Sequence, residues 1–481
     1  MSQSAKSSGA GSMKKTLSLW NYFTIGFGAI IGTGWVLLVG NWMILGGGPA
    51  AAVIAFAAGA VCLLPIGAVF GELTAAIPVS GGVVEYVDRA FGPGASQVTG
   101  WLLALGNGIL CPWETIAVST LIAEMFGGLF PVLRSIRLYA VLGTNVYLFP
   151  TLISLGCAAY VVFLNFRGAS SAAKLQGFLT KALLCGMLLA MCVSLFRGGP
   201  RNALPLFARV RSAAGATHAG SLFSGILSVL VMTPFFYAGF DTIPQQAEEA
   251  AEGMDWKKFG RIISLALLAS AVFYVICIYA FGTILPWRKF TALPVPALAC
   301  LKSISFPLYL VMLIIATLGP LGPMNSFFGA STRILLAMGR KGYLPAAFTE
   351  VDPKTGVPRN ACILLAAITL AGPFLGAQML VPLTNVSSLA FIFACTMVSF
   401  SCLRMRRTEP KLPRPYRVPG GRVGIGLACA AGTGILLLMA IPFSPAALTL
   451  VEWRIVVIWL GIGLVLHLIA KFGKARRTVK D

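Results

Sequence analysis

Hydrophobic positions fall into twelve long runs separated by shorter polar segments. A helix needs roughly 20 apolar residues to cross the hydrocarbon core of a bilayer, and most of these runs reach or exceed that length. The pattern therefore predicts an all-α integral membrane protein with 12 transmembrane helices. The predicted spans are 20–45, 49–70, 98–126, 146–165, 174–196, 221–248, 260–285, 306–338, 359–376, 380–403, 423–442 and 452–472.

The first span is interrupted near its middle. Gly32, Thr33 and Gly34 follow one another inside an apolar run, although each glycine costs a helix interior about 1 kcal/mol relative to alanine. We interpret this as a break in the helix, because unwound backbone at membrane depth is tolerated where protein buries it or where it lines a cavity. The alternative is close helix packing, since Gly28 and Gly32 form a G-x-x-x-G pair.

A second interruption lies in the sixth span. Gly239, Asp241 and Pro244 follow one another closely in an apolar run, and this combination predicts another broken helix. Each broken span opens a block of five spans. Paired segments interrupted by Gly or Pro at corresponding positions point to the binding site of a transporter. We therefore expect a site between spans one and six.

Polar residues in three other spans are further candidates. Glu114 follows Trp113 in the third span, and a carboxylate inside a membrane helix is costly, so it is usually functional or paired with a neighbouring helix. Lys181 lies near the start of the fifth span, where its long side chain either reaches the membrane surface or faces the site. Met324 and Asn325 in the eighth span suit close packing against the first helix or an ion site.

Composition and charge agree with a membrane location. The chain is 57% hydrophobic and 11% charged, with a net charge of +22. The basic residues concentrate in segments that the alternation of spans places inside, above all 404–422 and the C-terminal tail. The positive-inside rule therefore accounts for the charge, and no nucleic acid partner is expected. The exception is a predicted external loop with Arg197, Arg201, Arg209 and Arg211.

This distribution predicts a multi-pass protein of the plasma or bacterial inner membrane, with both termini cytoplasmic. The 11 cysteines show no metal-ligand spacing. His218, in a predicted external loop, and His467, near the end of the last span, form no catalytic or metal-binding pair. We therefore expect neither an enzyme nor a metal site.

Several motifs together resemble the amino acid–polyamine–organocation (APC) superfamily of permeases along nearly the whole chain. Each motif is short, and their common order and spacing make the resemblance specific. They are Gly28-Ala29-Ile30-Ile31-Gly32-Thr33-Gly34, Gly71-Glu72-Leu73 with Pro78-Val79-Ser80-Gly81-Gly82, Phe240-Asp241 with Glu248-Glu249, and Arg340-Lys341-Gly342-Tyr343-Leu344-Pro345 with Asp352-Pro353-Lys354-Thr355-Gly356-Val357-Pro358.

The resemblance implies a LeuT-like five-plus-five inverted repeat in which helices 1 and 6 are discontinuous and hold the substrate. It implies that N–H groups around Thr33 and Gly34 bind a carboxylate. Phe235 or the adjacent Phe236 would shield the substrate. Carbonyl groups near Ala29, Ile30, Phe235 and Ala238 would bind an ammonium group.

Two features depart from the family pattern. Some proton-coupled relatives carry a lysine in the fifth helix, and the corresponding position here is Leu183. Lys181 lies two residues earlier, which is about 200° around a helix, so the two positions are not equivalent. The Trp113-Glu114 pair is the other departure, and Glu114 can either face the substrate or carry a coupling proton.

The predicted organisation follows from the spans and the resemblance. It comprises a cytoplasmic N-terminal tail (1–19), a first repeat (20–196), an external loop (197–220), a second repeat (221–403), a basic cytoplasmic loop (404–422), spans eleven and twelve (423–472) and a cytoplasmic C-terminal tail (473–481).

Together these observations predict a secondary active transporter for amino acids or related amines that works by alternating access. Proton-coupled symport is the first expectation and exchange is the alternative; a channel or a membrane-embedded enzyme is less favoured. The coupling candidates are Glu114, Lys181 and Asp241, a proton is favoured over sodium, and no other cofactor is expected. The expected partners are a small-molecule substrate and the lipid bilayer, and the last two spans either support the fold or form a homodimer. The substrate-binding candidates are Ala29, Ile30, Gly32, Thr33, Gly34, Trp113, Glu114, Phe235, Phe236, Ala238, Asp241, Met324 and Asn325.

Overall fold

The computed structural model describes residues 17–211, 217, 218 and 220–478. Most of the predicted N-terminal tail (1–16), part of the external loop (212–216 and 219) and the end of the C-terminal tail (479–481) lie outside the described residues.

Helices make up nearly all of the described structure. The first half contains α1 (Leu19–Ile30), α2 (Gly34–Gly46), α3 (Pro49–Ala76), α4 (Gly82–Phe91), α5 (Pro93–Leu121), α6 (Gly127–Leu129), α7 (Leu148–Phe166) and α8 (Ala169–Arg197). The second half contains α9 (Leu222–Leu230), α10 (Thr233–Tyr237), α11 (Thr242–Gln245), α12 (Trp256–Ile284), α13 (Trp287–Thr291), α14 (Pro296–Ile304), α15 (Phe306–Leu318), α16 (Leu321–Arg340), α17 (Arg359–Ala371), α18 (Leu380–Thr408), α19 (Arg422–Ala440) and α20 (Leu450–Thr478).

Two small antiparallel hairpins interrupt the helical pattern in connecting segments. One pairs β1 (Arg137–Val141) with β2 (Thr144–Tyr147), and the other pairs β3 (Val210–Arg211) with β4 (Thr217–His218). We call the end of the bundle that carries β1 and β2 the hairpin face, and the opposite end, which carries α4, the α4 face.

The helical membrane protein predicted from the sequence is confirmed. Within the described residues, nine helices are long and apolar enough to cross a membrane, and the pair α1–α2, bent by 47° at its break, brings the number to ten. The sixth predicted span consists of the short pieces α9, α10 and α11. The ninth corresponds to the shorter helix α17.

The long helix α5 lies at the centre of the bundle. Of its most apolar stretch, 78% is buried, whereas the corresponding value for α20 is 17%. The packing of α5 against α16 and α18, together with that of α12 along α3, forms the interior. A side chain on α5 is therefore positioned to reach the interior, whereas α20 lies at the periphery.

A buried ion cluster holds the α4 face together. The carboxylate of Glu72, near the end of α3, is fully buried. It accepts hydrogen bonds from Arg406 Nε at 2.9 Å and from the Val418 N–H at 2.7 Å, and Arg414 Nε lies 3.3 Å away. Because a buried charge is tolerated when it is paired and hydrogen-bonded, this cluster fixes the connection after α18 against α3.

We expect Glu72→Gln to lower the free energy of unfolding by about 3–5 kcal/mol, because it leaves two guanidinium groups beside an uncharged amide. Thermal unfolding in detergent measures the effect. Glu252→Gln is the matched control, since Glu252 is exposed, and it should change stability by no more than about 0.5 kcal/mol. Equal melting temperatures for the two variants would show that the cluster does not stabilise the fold.

Candidate functional site

The first break separates α1 from α2. α1 ends at Ile30 and α2 begins at Gly34, so Ile31, Gly32 and Thr33 form an unwound link. The N–H groups of Gly32, Thr33 and Gly34 donate no hydrogen bond to any described residue. They resemble the free donors at the start of any helix, and here they lie inside the protein.

The second break separates α10 from α11. Gly239 adopts a φ of +130°, which residues with a side chain rarely adopt. A methyl group built on Gly239 would lie only 2.6 Å from the backbone nitrogen of Ile30. The two breaks are therefore in direct backbone contact, and this contact requires glycine.

Asp241 organises the second break. Its side chain is fully buried, and it accepts hydrogen bonds from the Gly239 N–H at 3.1 Å and from Asn107 Nδ2 at 2.7 Å. Asn107 lies on α5, so this carboxylate ties the unwound link to the central helix. The sequence analysis did not single out Asn107, because nothing local connects it with a residue so far along the chain.

A small cavity lies at the two breaks. Its volume accessible to water is about 20 Å³, which is enough for about one water molecule and far too small for an amino acid. The structure therefore represents a closed site. The lining residues are Ala29, Ile30, Gly32, Gly34, Leu110, Trp113, Glu114, Phe235, Phe236 and Tyr274.

Aromatic rings form one wall of this cavity. Phe235 and Phe236 meet edge to face with their ring centroids 5.1 Å apart, and the Trp113 ring lies 5.2 Å from that of Phe235. The indole N–H of Trp113 donates to the Leu380 carbonyl and to Thr384 Oγ1, each at 3.0 Å. These hydrogen bonds hold the indole in place, so the wall is rigid on the side of α5 and α18.

Glu114 lies beside the first break. Glu114 is only 3% exposed. A methyl group built on Gly32 would lie 3.1 Å from Glu114 Oε1. The other oxygen, Oε2, has no hydrogen-bond partner among the described residues. Buried polar atoms are nearly always hydrogen-bonded, so the unpaired oxygen of Glu114 is unusual, and its role in substrate binding stays a prediction.

Tyr274 from α12 completes the lining and was not predicted. Its hydroxyl donates to the carbonyl of Ile30 at 3.0 Å. This carbonyl is one of those that the family resemblance assigns to a substrate ammonium group. The sequence gives no distinguishing signal for Tyr274, because the same span carries other hydroxyl groups at Ser264, Ser270, Tyr279 and Thr283.

Five predicted binding residues do not line the cavity: Thr33, Ala238, Asp241, Met324 and Asn325. Thr33 packs towards the junction of α15 and α16, where a methyl group built on Gly319 would lie 2.6 Å from Thr33 Cγ2. Met324 is fully buried, and Asn325 Oδ1 accepts a hydrogen bond from Asn165 Nδ2 at 2.8 Å. Their place in substrate binding stays a prediction.

Lys181 and Leu183 occupy different sides of α8. Lys181 is exposed, whereas Leu183 is 3% exposed. Leu183 also packs at the junction of α15 and α16, since a methyl group built on Gly319 would lie 2.9 Å from Leu183 Cδ1. The position that faces the interior therefore carries leucine, and a coupling role for Lys181 stays a prediction.

Hydrogen bonds and an ion pair close the cavity towards the α4 face. Arg333 Nε lies 2.7 Å from Glu249 Oε1, and both side chains are at least nine-tenths buried. The Tyr22 hydroxyl donates to the Gln246 carbonyl at 2.8 Å. These contacts join α1, the segment after α11 and α16.

A second ion cluster lies further out on the α4 face. Lys341 Nζ is 2.7 Å from both Glu85 Oε2 and Asp88 Oδ2, and the Tyr343 hydroxyl donates to Asp88 Oδ1. Burial raises the pKa of Asp88, but the hydrogen bonds from Lys341 and Tyr343 outweigh it and lower this pKa overall. The stability that Asp88 contributes is therefore present above its unfolded pKa of about 3.9 and is lost as the pH falls through the lower folded value.

We expect Gly239→Ala to destabilise the protein by about 1–3 kcal/mol, because alanine is strained at this φ and its methyl group would overlap the Ile30 backbone. Unfolding by heat or denaturant measures the loss. The control is Gly434→Ala in α19, where a methyl group meets no atom within 4 Å and should stabilise the helix by up to about 1 kcal/mol. A Gly239→Ala variant as stable as this control would contradict the close contact between the breaks.

Several known proteins are similar in sequence to this chain over most of its length. The branched-chain amino acid permease BcaP of Bacillus subtilis (strain 168) is 25% identical over 469 residues, covering 96% of this chain and 94% of that protein. The methylthioribose transporter of the same organism is 24% identical over 466 residues, covering 95% and 93%. The cationic amino acid transporter 4, vacuolar, of Arabidopsis thaliana is 26% identical over 410 residues, covering 84% of this chain and 65% of that longer protein.

The family described as amino acid permease matches residues 17–465 of the chain, from the start of α1 to within α20. Both broken helices and every residue that lines the cavity fall inside this match. The permeases are transport proteins of membranes, which agrees with the apolar helices and excludes an enzyme. The chain therefore belongs to the amino acid permease family.

Proposed function

We propose that the protein is a secondary active transporter for an amino acid or a related amine and that it works by alternating access. The observation that carries this proposal is the direct contact of two helix breaks around a small closed cavity. Free backbone N–H groups, a carboxylate and aromatic rings converge there. A few polar groups on a mostly apolar lining are typical of small-molecule sites.

The proposed topology has twelve spans in a LeuT-like five-plus-five arrangement. It counts α1–α2, α9–α11 and α17 as one span each beside the nine long helices. The first repeat runs from α1 to α8 and the second from α9 to α18, so each begins with a broken helix. Both termini are placed in the cytoplasm, because most of the basic residues then lie on the cytoplasmic side.

Larger spaces lie beyond the cavity at both ends. A vestibule of about 390 Å³ on the hairpin face is lined partly by Leu37 and Leu380, and one of about 450 Å³ on the α4 face is lined partly by Ser80 and Arg340. Alternating access would open one of these routes while the other stays closed. The contact between Gly239 and Ile30 would make the two broken helices move together.

Coupling to protons is the favoured mechanism, and exchange is the alternative. Asp241 has its carboxylate engaged by Asn107 and Gly239, whereas Glu114 has one unpaired oxygen. Of the three coupling candidates, Glu114 is therefore better placed to bind a proton and release it than Asp241 or the exposed Lys181. A proton remains favoured over sodium as the coupling ion.

The relatives' names cover branched-chain amino acids, cationic amino acids and methylthioribose, so family membership leaves the solute open. The aromatic wall suits an apolar group. Glu114 suits a positive charge.

The first test is a thermal-shift screen of the purified protein against amino acids and amines. A ligand at about 100 times its dissociation constant stabilises the folded state by about 2.7 kcal/mol. Uptake of each bound compound into proteoliposomes, with and without a pH gradient or preloaded substrate, then separates symport from exchange. Flux that exceeds about 10³ per second would indicate a channel and contradict the proposal.

We expect Gly34→Val to weaken substrate binding by at least about tenfold, or 1.4 kcal/mol, while leaving the protein folded. A methyl group at Gly34 would already lie 2.9 Å from Phe236 Cε1 and 3.4 Å from Trp113 Cη2. Valine would therefore fill the cavity. Gly434→Val is the matched control, and binding unchanged in both variants would place the substrate elsewhere.

A further inference from the structure

The start of α2 has a carboxyl group of the protein beside it. α2 is 13 residues long, and its first N–H groups are free of partners among the described residues. Such a helix start attracts negative charge. The carboxylate of Glu114 lies against Gly32 in the link that leads into this helix, and its Oε2 atom has no hydrogen-bond partner among the described residues.

A second carboxylate would not fit easily at this position. A substrate that brought its own carboxylate to Gly32 and Thr33 would place it beside Glu114, where like charges repel strongly because little water is present. None of the described residues that line the cavity or the hairpin-face vestibule is Lys, Arg or His. No basic side chain on this route would therefore neutralise a pair of carboxylates.

Tyr274 adds an independent constraint. The carbonyl of Ile30 accepts the Tyr274 hydroxyl, which uses one of the two lone pairs of this oxygen and leaves less of it for an ammonium group. Glu114 remains as the charged acceptor in the cavity. The neighbouring rings of Phe235, Phe236 and Trp113 can cover the apolar part of a ligand and contribute cation–π attraction.

We propose that Glu114 takes the place of a substrate carboxylate at the first break, and that the transported solute is a small organic amine without a carboxylate. Its ammonium group would pair with Glu114, and its carbon chain would lie against Phe235 and Phe236. This inference rests on the proposed transport function, because it names the substrate class of that same site.

The test compares amino acids with the amines that correspond to them without the carboxylate. Suitable pairs are leucine with 3-methylbutylamine, phenylalanine with phenethylamine, and ornithine with putrescine. Dissociation constants are measured on the purified full-length protein, and uptake is measured in proteoliposomes. The parent protein should bind at least one amine about tenfold or more tightly than its amino acid partner, because one charge-assisted hydrogen bond accounts for about that factor.

Substitutions then test whether Glu114 causes this preference. Glu114→Gln should weaken amine binding by about tenfold or more and reduce the preference within each pair. Glu114→Asp keeps the charge and should retain the preference. Glu252→Gln, at an exposed position, should leave the dissociation constants unchanged. If Glu114→Gln does not fold, the comparison of pairs on the parent protein still decides the question.

The outcomes separate this inference from the proposed function. Amino acids that bind as tightly as their amines, or tighter, would overturn the inference and leave transport intact. The inference would also be overturned if only cationic amino acids, such as ornithine, bound more tightly than their amines. Such substrates keep their carboxylate. Absence of binding and uptake for every compound would overturn the proposed function, and the inference with it.

Discussion

The backbone contact between Gly239 and Ile30 is the constraint on which the rest of the site depends. Two membrane helices can break at the same depth only if their free backbone groups are buried by protein or line a cavity. Here each break covers the other, and Gly239 allows an approach that any side chain would prevent. The hydrogen bonds of Asp241 to Gly239 and Asn107 then fix this arrangement to α5. The cavity at the breaks is a consequence of that contact.

Three buried carboxylates of this protein differ in how far their oxygens are hydrogen-bonded. Glu72 is surrounded by guanidinium and N–H donors, and both oxygens of Asp241 accept hydrogen bonds. Each is a stabilising group, because breaking its contacts would leave an uncompensated charge. Glu114 is almost equally buried but keeps an unpaired oxygen next to free N–H groups. Its desolvation is not compensated by hydrogen bonds within the fold, which sets it apart from the other two carboxylates.

The sequence predicted what depends on local pattern and missed what depends on contacts across the bundle. Both breaks were predicted because Gly32 to Gly34 and Gly239 to Pro244 oppose helix formation by themselves. Asn107 and Tyr274 were missed, because their partners are 134 and 244 positions away in the chain. Whether Lys181 faces the interior depends on how α8 is rotated about its axis. Neither the hydrophobic periodicity nor the charge of the sequence determines this rotation. Only packing shows that Leu183 faces the interior.

The two barriers around the closed cavity are chemically different. Towards the α4 face the barrier contains the ion pair of Arg333 and Glu249, with further charged side chains beyond it. Towards the hairpin face, Leu37, Leu38 and Leu380 line the vestibule together with polar residues that carry no positive charge, and the Trp113 indole donates to the Leu380 carbonyl. If the first barrier opens as the proposed mechanism requires, water would solvate its charges and offset the lost attraction. If the protein works by alternating access as proposed, opening the second would expose the apolar part of its lining, at about 25 cal/mol per Å².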